Sequence, residues 1–339
     1  MAKTSTPGRF YGLLRALYVP LGFRTRRSFF FFLIFAGALV VFSLIRLPLL
    51  FYSTVLCGPS PHFDCYYFDH FPAAQAGIRL HLGAILPAGI LAALQFVPAL
   101  QFKWAAVHRI NGYIVIFLSA VGTVGAMMIA RWSMGGGPDV QAGVVVLGIG
   151  FLVSLGLAWW NARVLQFEEH RKWMLRAWAY AGCIVTARFA LVVSAAVISQ
   201  QGYYAPIACE RLASRYILGS EELVLARFPE CAGYFSGANQ NLIVAVEGDV
   251  GDMGGLGRAG FQAALLLTFG VSVYLSFLAH VVGVEVYIRL TPGENERLRT
   301  ISYHRQVKAG FHNPGRAGLT ADRLGDSSFF WAPREQKSK

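Results

Sequence analysis

Long apolar stretches with almost no charge recur six times along this chain, and that repetition constrains the fold more than any other feature. A bilayer core of ~30 Å is crossed by about 20 helical residues. The stretches run over residues 29–51, 73–100, 109–130, 141–164, 173–200 and 259–289. A segment inside hydrocarbon has to satisfy its own backbone hydrogen bonds, and the period-2 alternation of a barrel strand is absent. The expected fold is all-α, a polytopic membrane helix bundle of about six transmembrane helices.

Charge placement gives the expected orientation. The net charge is +12, which by itself suggests a polyanionic partner. Yet Lys3, Arg9, Arg15, Arg24, Arg26 and Arg27 all precede the first span without an acidic residue, and Lys103, Arg163, Arg171 and Lys172 fall in the second and fourth connectors. The first outer connector, 52–72, holds Asp64 and Asp69 and no Lys or Arg, and the connector 201–258 has more acids than bases. That asymmetry follows the positive-inside rule, with both termini expected in the cytosol and the basic ends on anionic lipid. It argues against nucleic-acid binding. The expected organisation is a basic cytosolic segment 1–28, a six-helix domain 29–289 that includes the lumenal loop 201–258, and a basic tail 290–339. The tail is rich in Gly, Pro, Arg and Ser and is expected to be disordered.

Cysteine usage agrees with that topology. Cys57 and Cys65 fall in the first outer connector, Cys209 and Cys231 in the last, and Cys183 within a span. Disulfides persist in oxidising compartments, so the outer loops are expected to face a lumen or the extracellular space, in an endomembrane or the plasma membrane. Pairing within each loop is the simplest connectivity, though spacing does not choose it over cross-loop bridges. The first span is too long for a signal-peptide core and is expected to stay. "GLGRAG" at 255–260 matches G-x-G-x-x-G but lacks the strand–helix context that gives the motif meaning. The long outer connector is expected to carry a short helix near 220–228.

Side chains that hydrocarbon tolerates poorly mark the candidate site. A charge at mid-membrane costs about 2.5–3.5 kcal/mol on insertion scales, so such residues face a bundle interior or a partner. In "HRKWMLRAWAYAGCIVTARF", His170 and Arg188 lie ~five turns apart and share a face, with Arg176 about 120° away. Arg176 is expected to reach cytosolic phosphate or an anionic ligand, and Arg188 to need an internal polar partner. His81 lies in the outer half of the second span. His108 opens the third, His170 opens the fifth, and His280 lies in the inner half of the sixth. Imidazoles ligate iron, so His108, His170 and His280 are candidate haem-iron ligands, with His81 a further cofactor candidate. The competing reading has each ring hydrogen-bonding a backbone carbonyl. Glu285 is the clear intramembrane carboxylate, expected to pair with Arg289 one turn on. The outer loops add Asp64, Asp69, Glu247, Asp249 and Asp252. The group His62, Asp64, Asp69 and His70 matches no dependable metal spacing. Trp159, Trp160, Trp173 and Trp178 fit interfacial belts.

Three stretches, "LHLGAILPAGILAALQFVPALQF", "HRINGYIVIF" and "HRKWMLRAWAYAGCIVTARFAL", together resemble the integral membrane family known as domain of unknown function 2306, in its fungal form. The family pattern has His-Leu in one helix, His-Arg-x-x-Gly-x-Tyr opening the next, and His-Arg-x-Trp-Met-x-Arg opening a later one. On it, His81, His108, Arg109, Gly112, Tyr113, His170, Arg171, Trp173 and Arg176 take the motif positions, over roughly 73–200. The resemblance implies a helical membrane fold and brings no settled activity. Three readings follow. One is a haem-b membrane oxidoreductase exchanging electrons with a quinone, with Arg176 and Arg188 holding propionates or an anionic substrate. Another is a non-haem enzyme of fungal specialised metabolism, such as a terpenoid cyclase acting on an isoprenoid, with Glu285 or a loop aspartate as the protonating acid. The third is a non-catalytic scaffold.

Overall fold

The computed structural model describes residues 9–23, 25–59, 62–251, 257–324 and 331–333. Lys3, Arg24, Asp252 and the start of the 255–260 glycine motif lie outside them. Among the described residues six helices are long and apolar enough to cross a membrane. After an N-terminal helix α1 (Arg9–Tyr18) come α2 (Arg26–Arg46), a short α3 (Cys65–His70), α4 (Pro72–Gln95), α5 (Pro98–Lys103) and α6 (Ala105–Ile129). Next follow α7 (Pro138–Arg163) and α8 (Phe167–Ile198). The spans are therefore α2, α4, α6, α7, α8 and a later helix over Arg258–Arg289.

Span ends depart from expectation where charge meets helix. The second span closes at Gln95, because Pro98 starts α5, and a proline biases the residue before it away from the helical region. The fifth span starts at Phe167, six residues ahead of the expected Trp173, taking in Glu168, Glu169, His170, Arg171 and Lys172. Acidic residues in a first helical turn suit the positive end of the helix dipole.

The chain divides into two compact units, Met1–Gln141 with Leu191–Phe269, and Ala142–Ala190 with Gly270–Lys339. In the first, α4 and α6 pack closely because glycines line their seam. A Cβ placed on Gly125 would stand 2.5 Å from the backbone nitrogen of His81, so this crossing admits only glycine there. Small residues at such seams let membrane helices approach.

The connector between the fifth and sixth spans folds onto itself as β1 (Tyr204–Ala208), α9 (Cys209–Ala213), α10 (Glu221–Arg227), α11 (Ala232–Phe235) and β2 (Ile243–Glu247). β1 and β2 pair antiparallel, Tyr204 opposite Glu247 and Ala208 opposite Ile243. Their inward residues Ala205, Ile207, Val244 and Val246 join Leu212, Val224 and Cys231 in an apolar core. Helix α10 begins as expected, with Ser220 Oγ accepting from Leu223 N at 3.3 Å, a capping bond that relieves an otherwise unpaired donor. Disulfides join Cys57 to Cys65 and Cys209 to Cys231, so the pairing is within each loop. Asp64 is buried and accepts from Met134 N at 3.0 Å. It holds a turn in which Met134 takes a left-handed φ of 49°, a conformation a non-glycine residue keeps only when its surroundings impose it.

The second unit ends in α12 (Arg258–Arg289), α13 (Pro292–Lys308) and α14 (Ala321–Leu324), the first of these shared with the other unit. This corrects the expectation of a disordered tail over the described part of 290–339. Polar side chains, not apolar periodicity, hold it. Gln306, fully buried, donates to Val164 O and Gln166 Oε1, both at 2.9 Å, and accepts from Gly315 N at 2.6 Å. Gln166 Oε1 also accepts from Gly318 N at 3.1 Å, and Asn161 Oδ1 accepts from Leu319 N at 2.9 Å. Among the four tryptophans expected at the interfaces, Trp159 and Trp160 are exposed. Trp178 is instead buried, edge-on to Phe151 at 5.7 Å.

Candidate functional site

An imidazole Nδ1 facing a carbonyl oxygen must carry the hydrogen, because a carbonyl only accepts. Three of the four intramembrane histidines are fixed this way across a helix pair. His81 Nδ1 on α4 reaches Gly122 O on α6 at 2.8 Å. His170 Nδ1 on α8 reaches Ala158 O on α7 at 2.8 Å. His280 Nδ1 on α12 reaches Ala179 O on α8 at 2.7 Å. His280 spends its other nitrogen too, with Nε2 3.1 Å from Thr186 Oγ1. His108, half-buried at the start of α6, accepts through its backbone oxygen from Gln95 Nε2 at 3.1 Å. Asn111 in the same motif donates to Leu91 O at 3.0 Å.

The arginines of the fifth-span motif are equally engaged. Arg176 Nε donates to Glu285 Oε1 at 2.6 Å and its Nη2 to Glu285 Oε2 at 3.1 Å, a bidentate pair. Its guanidinium stacks 4.6 Å from the Trp173 ring. Glu285 is therefore paired across helices with Arg176, correcting the expected pair with Arg289, and Arg176 does not simply snorkel to headgroups. A paired carboxylate satisfies an intramembrane cation without water. Arg171 donates to Asn295 Oδ1 at 2.8 Å and Thr291 Oγ1 at 3.1 Å. Arg188 lies half-buried in α8.

Whether these residues suit a haem can be tested from their depth within each unit. A bis-histidine haem needs two rings facing one iron at one level. His280 is bonded at the level of Ala179, nine residues beyond His170 on α8, which is ~13 Å along a helix. His81 is bonded at the level of Gly122, fourteen residues beyond His108 on α6, or ~21 Å. Neither pair shares a level, and the lone pair that His280 would offer a metal faces Thr186. The residues within each unit do not fit a bis-histidine haem. His62, Asp64, Asp69 and His70 do not converge either: among the described residues, no three His, Cys, Asp or Glu side chains are placed to hold a metal ion.

A cavity of about 450 Å³ lies in the first unit, lined by Tyr52, Ser53, Cys57, Gly58, Pro59, Asp69 and Arg215. Asp69 is its fixed point. Oδ1 accepts from the Tyr52 hydroxyl at 2.6 Å, and Oδ2 accepts from the Tyr216 hydroxyl and from Arg215 Nη2 at 3.2 Å. Burial pushes the Asp69 carboxyl up, but hydrogen bonds from Tyr216, Tyr52 and Arg215 outweigh it and hold the group below the usual carboxylate range. Burial first, and then the bond to Asp69, pushes the Tyr52 hydroxyl up to about 12. Arg215 keeps 57% of its side chain exposed. The Cys57–Cys65 bridge ties the turn after Tyr52 to α3, which carries Asp69. Asp69 was visible in the sequence as a loop carboxylate. Tyr52, Arg215 and Tyr216 were not, since nothing in the sequence announces a contact 17 residues away for Tyr52, or 146 and 147 residues away for Arg215 and Tyr216.

Comparisons with known proteins agree with the helical reading. Residues 78–213 match the family described as "Predicted membrane protein (DUF2306)". The chain is also similar to "Ava biosynthesis cluster protein G" of Aspergillus versicolor, 24% identical over 232 residues. The alignment covers 59% of this chain and spans 65% of that relative's length. No solved structure matches.

Proposed function

We propose that this chain is a haem-independent, membrane-embedded enzyme of small-molecule biosynthesis, both termini cytosolic, that takes its substrate at the cavity beside Asp69. The similarity to a biosynthesis-cluster protein supports the pathway. The observation that carries the site is the hydrogen-bonded set Tyr52, Asp69, Arg215 and Tyr216 at a cavity of about 450 Å³, within the size range of small-molecule sites.

The chemistry follows from which hydrogens are already committed. Both tyrosines give theirs to Asp69, so each phenolic oxygen keeps a lone pair for a substrate hydroxyl beside the bond that Gln75 makes to Tyr52 and Arg215 to Tyr216. Arg215 has five N–H donors and engages Asp69 and Tyr216, leaving others for a carbonyl or carboxylate oxygen. A substrate with neighbouring hydroxyl and carbonyl groups suits this arrangement, with Arg215 polarising the carbonyl. Acid-initiated cyclisation is disfavoured, since Asp69 is held ionised and Glu285 faces a guanidinium through both oxygens.

The test is metabolite profiling of the native host with the gene deleted, then complemented. Deletion should remove a product and accumulate its precursor, and Arg215→Gln at normal abundance should leave the defect in place. Full rescue by Arg215→Gln contradicts the site. An unchanged profile on deletion contradicts the biosynthetic reading.

A further inference from the structure

A second cleft, of about 200 Å³, lies in the other unit where the first turns of α8 and α13 meet the C-terminal segment. It is lined by Glu168, Glu169, Lys172, Asn295, Glu296, Arg299 and Thr320, among others. Its charges are unevenly matched. Lys172 is taken by Glu169, and Arg299 by Asp322 at 2.7 Å. Glu168, only 2% exposed, accepts from two neutral donors, the Gln166 amide and Ser302 Oγ at 2.8 Å, while Arg299 Nε stays 3.8 Å away. Glu296 stands exposed at the rim. Arg299 thus stands within ion-pair range of Glu168 while its closer contact is to Asp322, so Lys172 and Arg299 are outnumbered by the carboxylates they serve.

One further group in the wall points the same way. Thr320 is 1% exposed, and its hydroxyl makes no hydrogen bond among the described residues. Buried polar atoms nearly always find a partner. A cation with hydrogen-bonding capacity would meet Glu168, Glu296 and Thr320 together.

We propose that this cleft binds a small primary-ammonium group, which balances the surplus carboxylate charge of the lining and takes up the Thr320 hydroxyl. A metal ion is the poorer occupant, since no three ligating side chains converge among the described residues. The ammonium can come from a soluble amine or from a phosphatidylethanolamine headgroup, because the cleft lies at the ends of two spans.

The experiment measures thermal unfolding of the full-length protein. Ethanolamine hydrochloride in detergent should raise the midpoint, while ethylene glycol, similar in size but neutral, should not. Glu296→Gln and the near-isosteric Thr320→Val, neither of which should impair folding, should each weaken the ethanolamine response roughly tenfold, about the value of one charge-assisted contact. Phosphatidylcholine vesicles with and without phosphatidylethanolamine separate the sources: a rise only with phosphatidylethanolamine present assigns the headgroup, and a rise with free amine alone assigns the soluble ligand. Equal stabilisation by ethylene glycol, no response to either amine, or a full response in Thr320→Val overturns the proposal.

Discussion

In the first unit the connector of 201–258 is closed by Cys209–Cys231 around an apolar core. In the second, the segment after the sixth span is held by Asn161, Gln166 and Gln306 through amide hydrogen bonds. Both regions are polar connectors by composition, yet their failure modes differ. A disulfide acts largely by restricting the unfolded chain, so it tolerates imperfect packing but depends on redox state. A buried amide network is indifferent to redox but needs every member satisfied.

The largest expected effect lies in the network. Gln306→Leu strands Val164 O and Gly315 N and takes one of two donors from Gln166 Oε1, and at about 1–3 kcal/mol per unsatisfied buried group the loss should reach about 3–5 kcal/mol. Hydrogen exchange over 292–324 should rise sharply while the 201–258 connector stays protected; equal loosening of both regions breaks the distinction. Next, the double change Cys209→Ala/Cys231→Ala should cost about 3 kcal/mol, appropriate to the loop it closes. Exchange should then rise in 201–258 and leave the tail unaffected, with reductant reproducing it.

A smaller effect is expected at Glu285→Gln, about 1–3 kcal/mol, the range for hydrogen bonds to charged groups. A double-mutant cycle with Arg176→Met should recover a coupling of that order, and near-additivity would remove the pair from the account. Smallest is the acid response of the loops around Asp69. The Asp69 carboxyl sits below its usual range when folded, so its contribution is complete above the unfolded value near ~3.9. It is lost as pH falls through the folded value. Tyr52→Phe should flatten this dependence, measured as unfolding midpoint against pH; an unchanged slope sinks the assignment.

The spans were legible because a hydrocarbon solvent permits few backbone solutions, and the apolar runs show through any composition. The short helix after Ser220 was legible from its cap. The pair β1 and β2 was not, although Ile243–Glu247 alternates, because its partner lies across α9, α10 and α11. The start of the fifth span was misread because Glu168 to Lys172 resemble a wet loop. In fact Lys172 pairs with Glu169, and Arg171 reaches Asn295 and Thr291. His81, His170 and His280 bond to carbonyls of neighbouring helices, and sequence does not distinguish a metal ligand from a ring bonded in this way. The same holds for Glu285: an i, i+4 neighbour is visible in the sequence, while Arg176, 109 residues away, is not.

His81, His170 and His280 serve as bonds between helices. An absorption spectrum of the full-length protein, purified in detergent from haem-replete cells, tests this most directly. It should show protein absorbance alone, and His280→Asn should lower the unfolding midpoint without altering the spectrum. A Soret band that disappears when His108, His170 or His280 is replaced would contradict it.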